Sequence, residues 1–92
     1  MSVQWLFDVI ESRKQNASDK SYTSRLFAEG LPKIAQKVGE EGTEVVVAAL
    51  AQDDQRLIEE IADLTYHTLV LLAARGLKIN DVLAELERRH KH

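Results

Sequence analysis

Lys33-Ile34-Ala35-Gln36-Lys37-Val38-Gly39-Glu40-Glu41-Gly42-Thr43-Glu44-Val45 repeats its apolar and acidic residues at a helical period. Advancing about 100° per residue places Lys33, Lys37, Glu40, Glu41, Glu44 and Ala48 within an arc of roughly 100°. Ile34, Val38, Val45 and Ala49 form an adjoining apolar stripe. Val45-Val46-Val47 is β-branched, but it lies inside this longer pattern and reads as helix. The acids therefore border the core, where carboxylates need partners. Gly39 and Gly42 inside a helix cost about 1 kcal/mol each relative to Ala. Close helix packing, or the approach of a ligand, would account for them.

Working outward, Pro32 fits a first helical turn, and this helix is expected over residues 32–51. Gln52-Asp53-Asp54-Gln55 is a polar break in which Asp53 or Asp54 caps the next helix. That helix, expected over 55–75, ends at Gly76, a good residue for the position after a helix. Its second half, Leu64 and Val70 to Ala74, leaves few polar positions and implies burial on more than one side. Toward the N-terminus, Trp5, Leu6, Val9 and Ile10 predict a helix from Ser2, as cap, to about Lys14. Asn16 to Ser21 is a polar loop. A short helical piece follows from Ser21 and stops near Gly30. Asn80 or Asp81 opens a last helix to about Arg89, and Arg88, Arg89, His90, Lys91 and His92 suit a helix C-terminus. His90 and His92, at this frayed end, are read as inert. No period-two strand is evident, so the class is all-α, with residues 1–92 as one domain.

The chain's 92 residues include 12 basic and 15 acidic ones, a net charge of −3, and no cysteine. Disulfides and thiolate metal sites are excluded. The balance is not a basic nucleic-acid footprint. The apolar run 64–74 is too short to span a bilayer, and no signal-peptide pattern opens the chain. The expectation is a soluble cytoplasmic protein that binds neither nucleic acid nor membrane. A domain this small commonly needs a metal or a second subunit for support. A homo-oligomeric bundle is the economical way to cover the apolar helix.

Glu60 and Asp63, three residues apart, point to one side of the later helix. A short connection makes the two long helices antiparallel neighbours. At about 1.5 Å rise per residue, Glu41 and Glu44 come nearly level with Glu60 and Asp63. Acids spaced three apart are common on solvated helices, and Lys37 offers Glu40 and Glu41 ordinary surface pairing. If the four instead converge near the core, they cannot all ionise without a cation. Oxygen ligands select hard ions, Mg²⁺ first, Mn²⁺ next as a substitute and Ca²⁺ as a further candidate. Lys33 and Lys37 lie on the same face, where they can meet phosphate oxygens.

Glu40-Glu41-x-x-Glu44 followed by Glu60-x-x-Asp63 resembles the EExxE…ExxD pattern of the all-α, MazG-like nucleoside triphosphate pyrophosphohydrolases. Ser21-Tyr22-Thr23, Lys33-Ile34, Gln36-Lys37-Val38-Gly39, Asp63-Leu64-x-Tyr66-His67 and Arg75-Gly76-Leu77 narrow the resemblance to the phosphoribosyl-ATP pyrophosphatases, in order and over nearly the whole chain. The acidic motif shows no departure from that pattern. The resemblance implies a MazG-like bundle completed by homodimerisation. It implies Mg²⁺-dependent hydrolysis of phosphoribosyl-ATP to phosphoribosyl-AMP and pyrophosphate in histidine biosynthesis. By position, Glu41, Glu44, Glu60 and Asp63 would be metal ligands, Glu41 and Glu44 thereby catalytic. Glu40 would be a further ligand or would orient the attacking water. Some family members carry a fused cyclohydrolase domain ahead of this one, and the chain is expected to be the stand-alone form.

Ser21, Tyr22 and Thr23 fall at a loop-to-helix junction, where hydroxyls and N–H groups either bind phosphate or simply cap the helix; the resemblance favours substrate binding. Arg13 and Arg25 are further phosphoribosyl candidates or ordinary surface residues. His67, four residues after Asp63, is read as its hydrogen-bond partner or as an interface residue, and Tyr66 as packing. Trp5 and Phe7 are read as core or dimer contacts. Competing functions are housekeeping hydrolysis of nucleoside triphosphates and a non-enzymatic dimerisation module. A di-iron bundle wants Glu-x-x-His, which neither Glu60 nor Asp63 provides.

Overall fold

The computed structural model describes residues 1–91, so the reading of His92 lies outside the described residues. It contains five helices: α1 (Val3–Gln15), α2 (Tyr22–Glu29), α3 (Leu31–Ala51), α4 (Asp54–Ala74) and α5 (Ile79–His90). There is no strand among the described residues. No helix there is long and apolar enough to cross a membrane.

The helix ends follow local chemistry. Ser2 Oγ accepts the Trp5 N–H at 3.0 Å, and Ser21 Oγ accepts the Ser24 N–H at 3.2 Å. Of the two aspartates at the polar break, Asp53 is the cap, accepting the Arg56 N–H at 2.9 Å. Each bond satisfies a helix donor that has no partner in its own turn. Gly30, at φ 97°, turns the chain sharply from α2 into α3. Gly76, at φ 73°, closes α4: its N–H reaches the Ala73 carbonyl, and the Leu77 N–H reaches that of Leu72. This paired closure depends on a left-handed residue, which glycine adopts without a Cβ penalty. The last helix departs from expectation. It starts at Ile79, because Asp81 sits inside it and reaches back to accept the Lys78 N–H at 2.9 Å.

Helices α3 and α4, joined by only two residues, form the antiparallel hairpin on which the rest is built. Phe7 and Ile10 of α1, Leu26 of α2, Ile34 of α3, and Leu69, Val70 and Ala73 of α4 make the core, closed by Ile79. Burial of a large apolar side chain contributes about 1.5–3 kcal/mol. Phe7, Ile10, Ile34 and Val70 therefore carry much of the hydrophobic stabilisation, whereas Trp5 stays on the surface. This core occupies the half of the hairpin remote from its turn. Toward the turn, Val46, Val47, Leu50, Ile58 and Ile61 remain exposed. Leu77, Val82, Leu83 and Leu86 add a second exposed apolar group around α5.

The buried face of α3 is displaced from the expected stripe. Its fully buried residues are Ile34, Glu41 and Ala48, seven apart, while Ala49 is exposed and Val38 and Val45 are half-buried. Seven residues fall about 20° short of two full turns, so these three share one line. The packed line runs along the border between the acidic arc and the apolar stripe, so Glu41 is buried while Glu40 and Glu44 stay exposed. A Cβ on Gly39 or Gly42 would meet nothing within 4 Å. Close helix packing therefore does not explain these glycines; their side of α3 is open.

Candidate metal centre and adjoining cleft

Across the seam, α4 presents Glu60, Asp63 and His67, spaced so that all three share one side. Glu41, Glu60 and Asp63 each bring a carboxylate oxygen within 4.8 Å of the others. Glu41 and Glu60 are buried, at 6% and 4% exposure, and Asp63 lies at the open edge. Glu44 is exposed and stands outside this tight group, beside Glu60 on the wall of a neighbouring cleft. Of the four expected ligands the structure brings three into one tight group and leaves the fourth, Glu44, at its rim beside Glu60.

Like charges so placed oppose common ionisation. Burial first, and then Glu44 and Asp63, push the Glu41 carboxyl above its ordinary value, with Lys37 working against them. The Glu44 hydrogen bond, followed by desolvation, pushes Glu60 up. Glu44, receiving hydrogen bonds from Glu60 and then Glu41, is pushed down. Crowding and burial thus oppose ionisation of Glu41 and Glu60 and favour it at Glu44. Glu41 Oε2 and Glu60 Oε2 are buried without a hydrogen-bond partner. Buried polar atoms are rarely left so, and an absent ion is one physical reason for it. An all-oxygen donor set fits Mg²⁺ or Mn²⁺.

Cations flank the cluster. Lys37 Nζ lies 3.8 Å from Glu41 and 3.9 Å from Glu40. Glu40 is exposed, and its other oxygen accepts the Gln36 amide at 3.0 Å. At the far end, Arg56 Nη2 donates to Glu60 Oε1 at 2.6 Å and Nη1 to Glu59 at 2.7 Å. The sequence reading passed over Arg56, although its spacing of four from Glu60 is a usable signal.

Beside Lys37 a cleft of about 190 Å³ opens between α2 and α3. Tyr22, Arg25, Lys33, Lys37 and Glu40 line it, so Tyr22 and both predicted lysines face one space. Ser21 and Thr23 are placed differently. Ser21 caps α2 through its hydroxyl. Thr23 is buried, and its hydroxyl bonds that of Tyr66 on α4. It fastens α2 because the first helical turn directs its side chain inward. Arg13 does not line the cleft, whereas Arg25 lines it and donates to the Asp19 carbonyl at 2.8 Å. His67 does bond Asp63, but at the backbone: Nδ1 lies 2.8 Å from the Asp63 carbonyl oxygen. That carbonyl, one turn back on the same helix, is the nearer acceptor.

The sequence profile described as phosphoribosyl-ATP pyrophosphohydrolase matches residues 3–90. The chain belongs to this family. Among relatives named phosphoribosyl-ATP pyrophosphatase, the protein of Pyrobaculum calidifontis is 55% identical over 86 residues, 94% of this chain and 92% of its own. That of Erythrobacter litoralis is 53% identical over 88 residues, 96% of this chain and 85% of its own. That of Clostridium botulinum is 49% identical over 86 residues, 94% and 78% respectively. Family membership extends over all five helices, the acid seam and the cleft alike.

Proposed function

We propose that this pyrophosphohydrolase-family chain hydrolyses phosphoribosyl-ATP to phosphoribosyl-AMP and pyrophosphate, the second step of histidine biosynthesis. The observation that carries the chemistry is the pair of unpartnered oxygens, Glu41 Oε2 and Glu60 Oε2, buried beside Asp63. Glu41, Glu44, Glu60 and Asp63 would hold Mg²⁺, with Mn²⁺ as substitute. Mg²⁺ would neutralise charge on the phosphoanhydride and favour attack by water.

The side chains supply position and proton handling. Lys37 and Lys33 on the cleft wall would hold phosphate oxygens, and Tyr22 on the same wall would bound the substrate, with Ser21 and Thr23 fixing the start of α2 behind it. Glu40, exposed at the cleft and steadied by Gln36, would orient a water and take its proton. The water oxygen forms a bond to the phosphorus next to the ribose, and the bond from that phosphorus to the pyrophosphate oxygen breaks. Positioning and charge stabilisation carry such a displacement, and no covalent enzyme intermediate is required.

The whole chain would act as one domain in the cytoplasm, as a homodimer. Exposed Val46, Val47, Leu50, Ile58 and Ile61 support the dimer, since they leave an apolar face near the site uncovered. Pyrophosphate release from phosphoribosyl-ATP, measured with Mg²⁺ and with excess EDTA beside ATP and dATP, tests the assignment. Metal-dependent release confined to phosphoribosyl-ATP supports it. Preference for the simple nucleotides would move the function to general nucleotide hydrolysis, and no release would remove the enzyme reading.

A further inference from the structure

His67 is buried at 6% exposure and has no part in the chemistry above. It stands one turn beyond Asp63 on the ligand-bearing face of α4. In the neutral ring, Nδ1 donates to the Asp63 carbonyl, which can only accept. Nε2 is then left as an acceptor, and the Tyr22 hydroxyl lies 2.9 Å from it, across 45 positions of sequence.

Tyr22 is the first residue of α2 and the one aromatic residue on the wall of the charged cleft. The rings of Tyr66 and Tyr22 stack with centroids 6.5 Å apart and planes at 30°, and His67 meets Tyr22 edge-on at 5.9 Å. Tyr22 is nonetheless 44% exposed, so part of its ring remains open toward the cleft. The neighbouring lysines and Arg25 suit phosphates, and Tyr22 supplies the wall's one aromatic ring for a heteroaromatic base.

We propose that His67 is a positioning residue that holds Tyr22 through its hydroxyl, so that the Tyr22 ring stacks on the purine base of the nucleotide while its phosphates meet the carboxylate seam. The bond ties the cleft wall on α2 to the helix bearing Glu60 and Asp63, so base and phosphate subsites keep a fixed separation. This inference rests on the function proposed above.

The test compares wild type with Tyr22→Phe, His67→Leu, His67→Gln and the double variant Tyr22→Phe/His67→Leu. The readouts are KM and kcat for phosphoribosyl-ATP, and Mn²⁺ binding without substrate. Loss of one ordinary hydrogen bond should raise KM about tenfold in Tyr22→Phe and His67→Leu. kcat should stay within about twofold and Mn²⁺ affinity unchanged. The double variant should match the singles, since both remove the same bond. His67→Gln, which returns an acceptor near the Nε2 position, should recover most of the KM. Tyr22→Phe removes only a half-exposed hydroxyl, so it keeps the test sound if His67→Leu fails to fold. An unchanged KM in Tyr22→Phe, additive effects in the double variant, or lost Mn²⁺ affinity would overturn the proposal. Failure of the wild type to hydrolyse phosphoribosyl-ATP would instead overturn the functional assignment, a separate outcome.

Discussion

Glu41 and Glu60 face one another across the α3–α4 seam, each with one buried carboxylate oxygen that has no hydrogen-bond partner. A helix hairpin would ordinarily fill such positions with apolar side chains, as Ile34 and Ala48 do on the same line of α3. Two acids there weaken the hairpin while they stand alone, and a cation joining them would strengthen it. Glu41→Gln should therefore raise the melting temperature measured in EDTA at pH 7–8, because the amide removes a charge and donates to neighbouring carboxylates. It should also abolish the rise in melting temperature caused by Mg²⁺ and cut turnover by more than about 100-fold, beyond the usual cost of losing a group that only supports a ligand. A melting temperature still raised by Mg²⁺ in this variant would contradict the assignment.

The pH dependence has a definite sign. Glu41 and Glu60 are pushed above the ordinary 4.5 in the folded protein. Between 4.5 and their raised values the native state binds more protons than the unfolded chain, so stability falls as pH rises. Glu44, pushed down, works oppositely: its contribution is present above 4.5 and is lost as pH falls through its lowered value. Metal-free protein should thus lose melting temperature as pH rises above 4.5 through the raised values of Glu41 and Glu60. Saturating Mg²⁺ should flatten that decline, because the metal binds the deprotonated acids and releases protons. Scanning fluorimetry over pH, with EDTA and with Mg²⁺, measures both. A metal-free melting temperature that climbs through the same interval would be the contrary result.

Arg56 lends Glu60 a counter-charge at 2.6 Å. Arg56→Met should lower the melting temperature in EDTA more than it does in saturating Mg²⁺, since the cation takes over the role. Equal losses under both conditions would make Arg56 a general surface support.

Gly39 has open space where a Cβ would stand. Gly39→Ala should stabilise α3 by about 1 kcal/mol, the helix-propensity difference, measured by urea unfolding. Destabilisation would show that something in solution, a second subunit above all, approaches that face.

Leu50 and Ile58 are among the most exposed large apolar residues, at 83% and 61%. Sedimentation should report a species of twice the 10.4 kDa chain mass. Ile58→Glu should shift it to monomer and lower the melting temperature. A wild-type monomer at micromolar concentration would remove the dimer.

The acid pairs and the helix breaks were legible in the sequence because their causes are local. Ser2, Ser21, Asp53, Gly30 and Gly76 act within a turn or two of the ends they set. The spacing of Glu41 and Glu44, and of Glu60 and Asp63, together with one short connection, sufficed to bring the acids level. Which face of α3 packs was less legible. The apolar stripe of Ile34, Val38, Val45 and Ala49 outweighs the line of Ile34, Glu41 and Ala48 until α4 supplies acids opposite. The Tyr22–His67 and Thr23–Tyr66 bonds left no periodic trace, since their partners lie 45 and 43 residues apart and meet only when α2 folds onto α4.

The central claim, that the seam acids hold a divalent cation, is tested most directly by titrating metal-stripped protein with Mn²⁺ and following free Mn²⁺ by electron paramagnetic resonance. Wild type and Glu59→Gln, the latter altering a carboxylate that faces Arg56 outside the cluster, should bind Mn²⁺ saturably and alike, with Mg²⁺ displacing it. Glu41→Gln and Asp63→Asn should lose that binding while remaining helical. Undiminished Mn²⁺ binding in both seam variants, or none in wild type, would contradict the account.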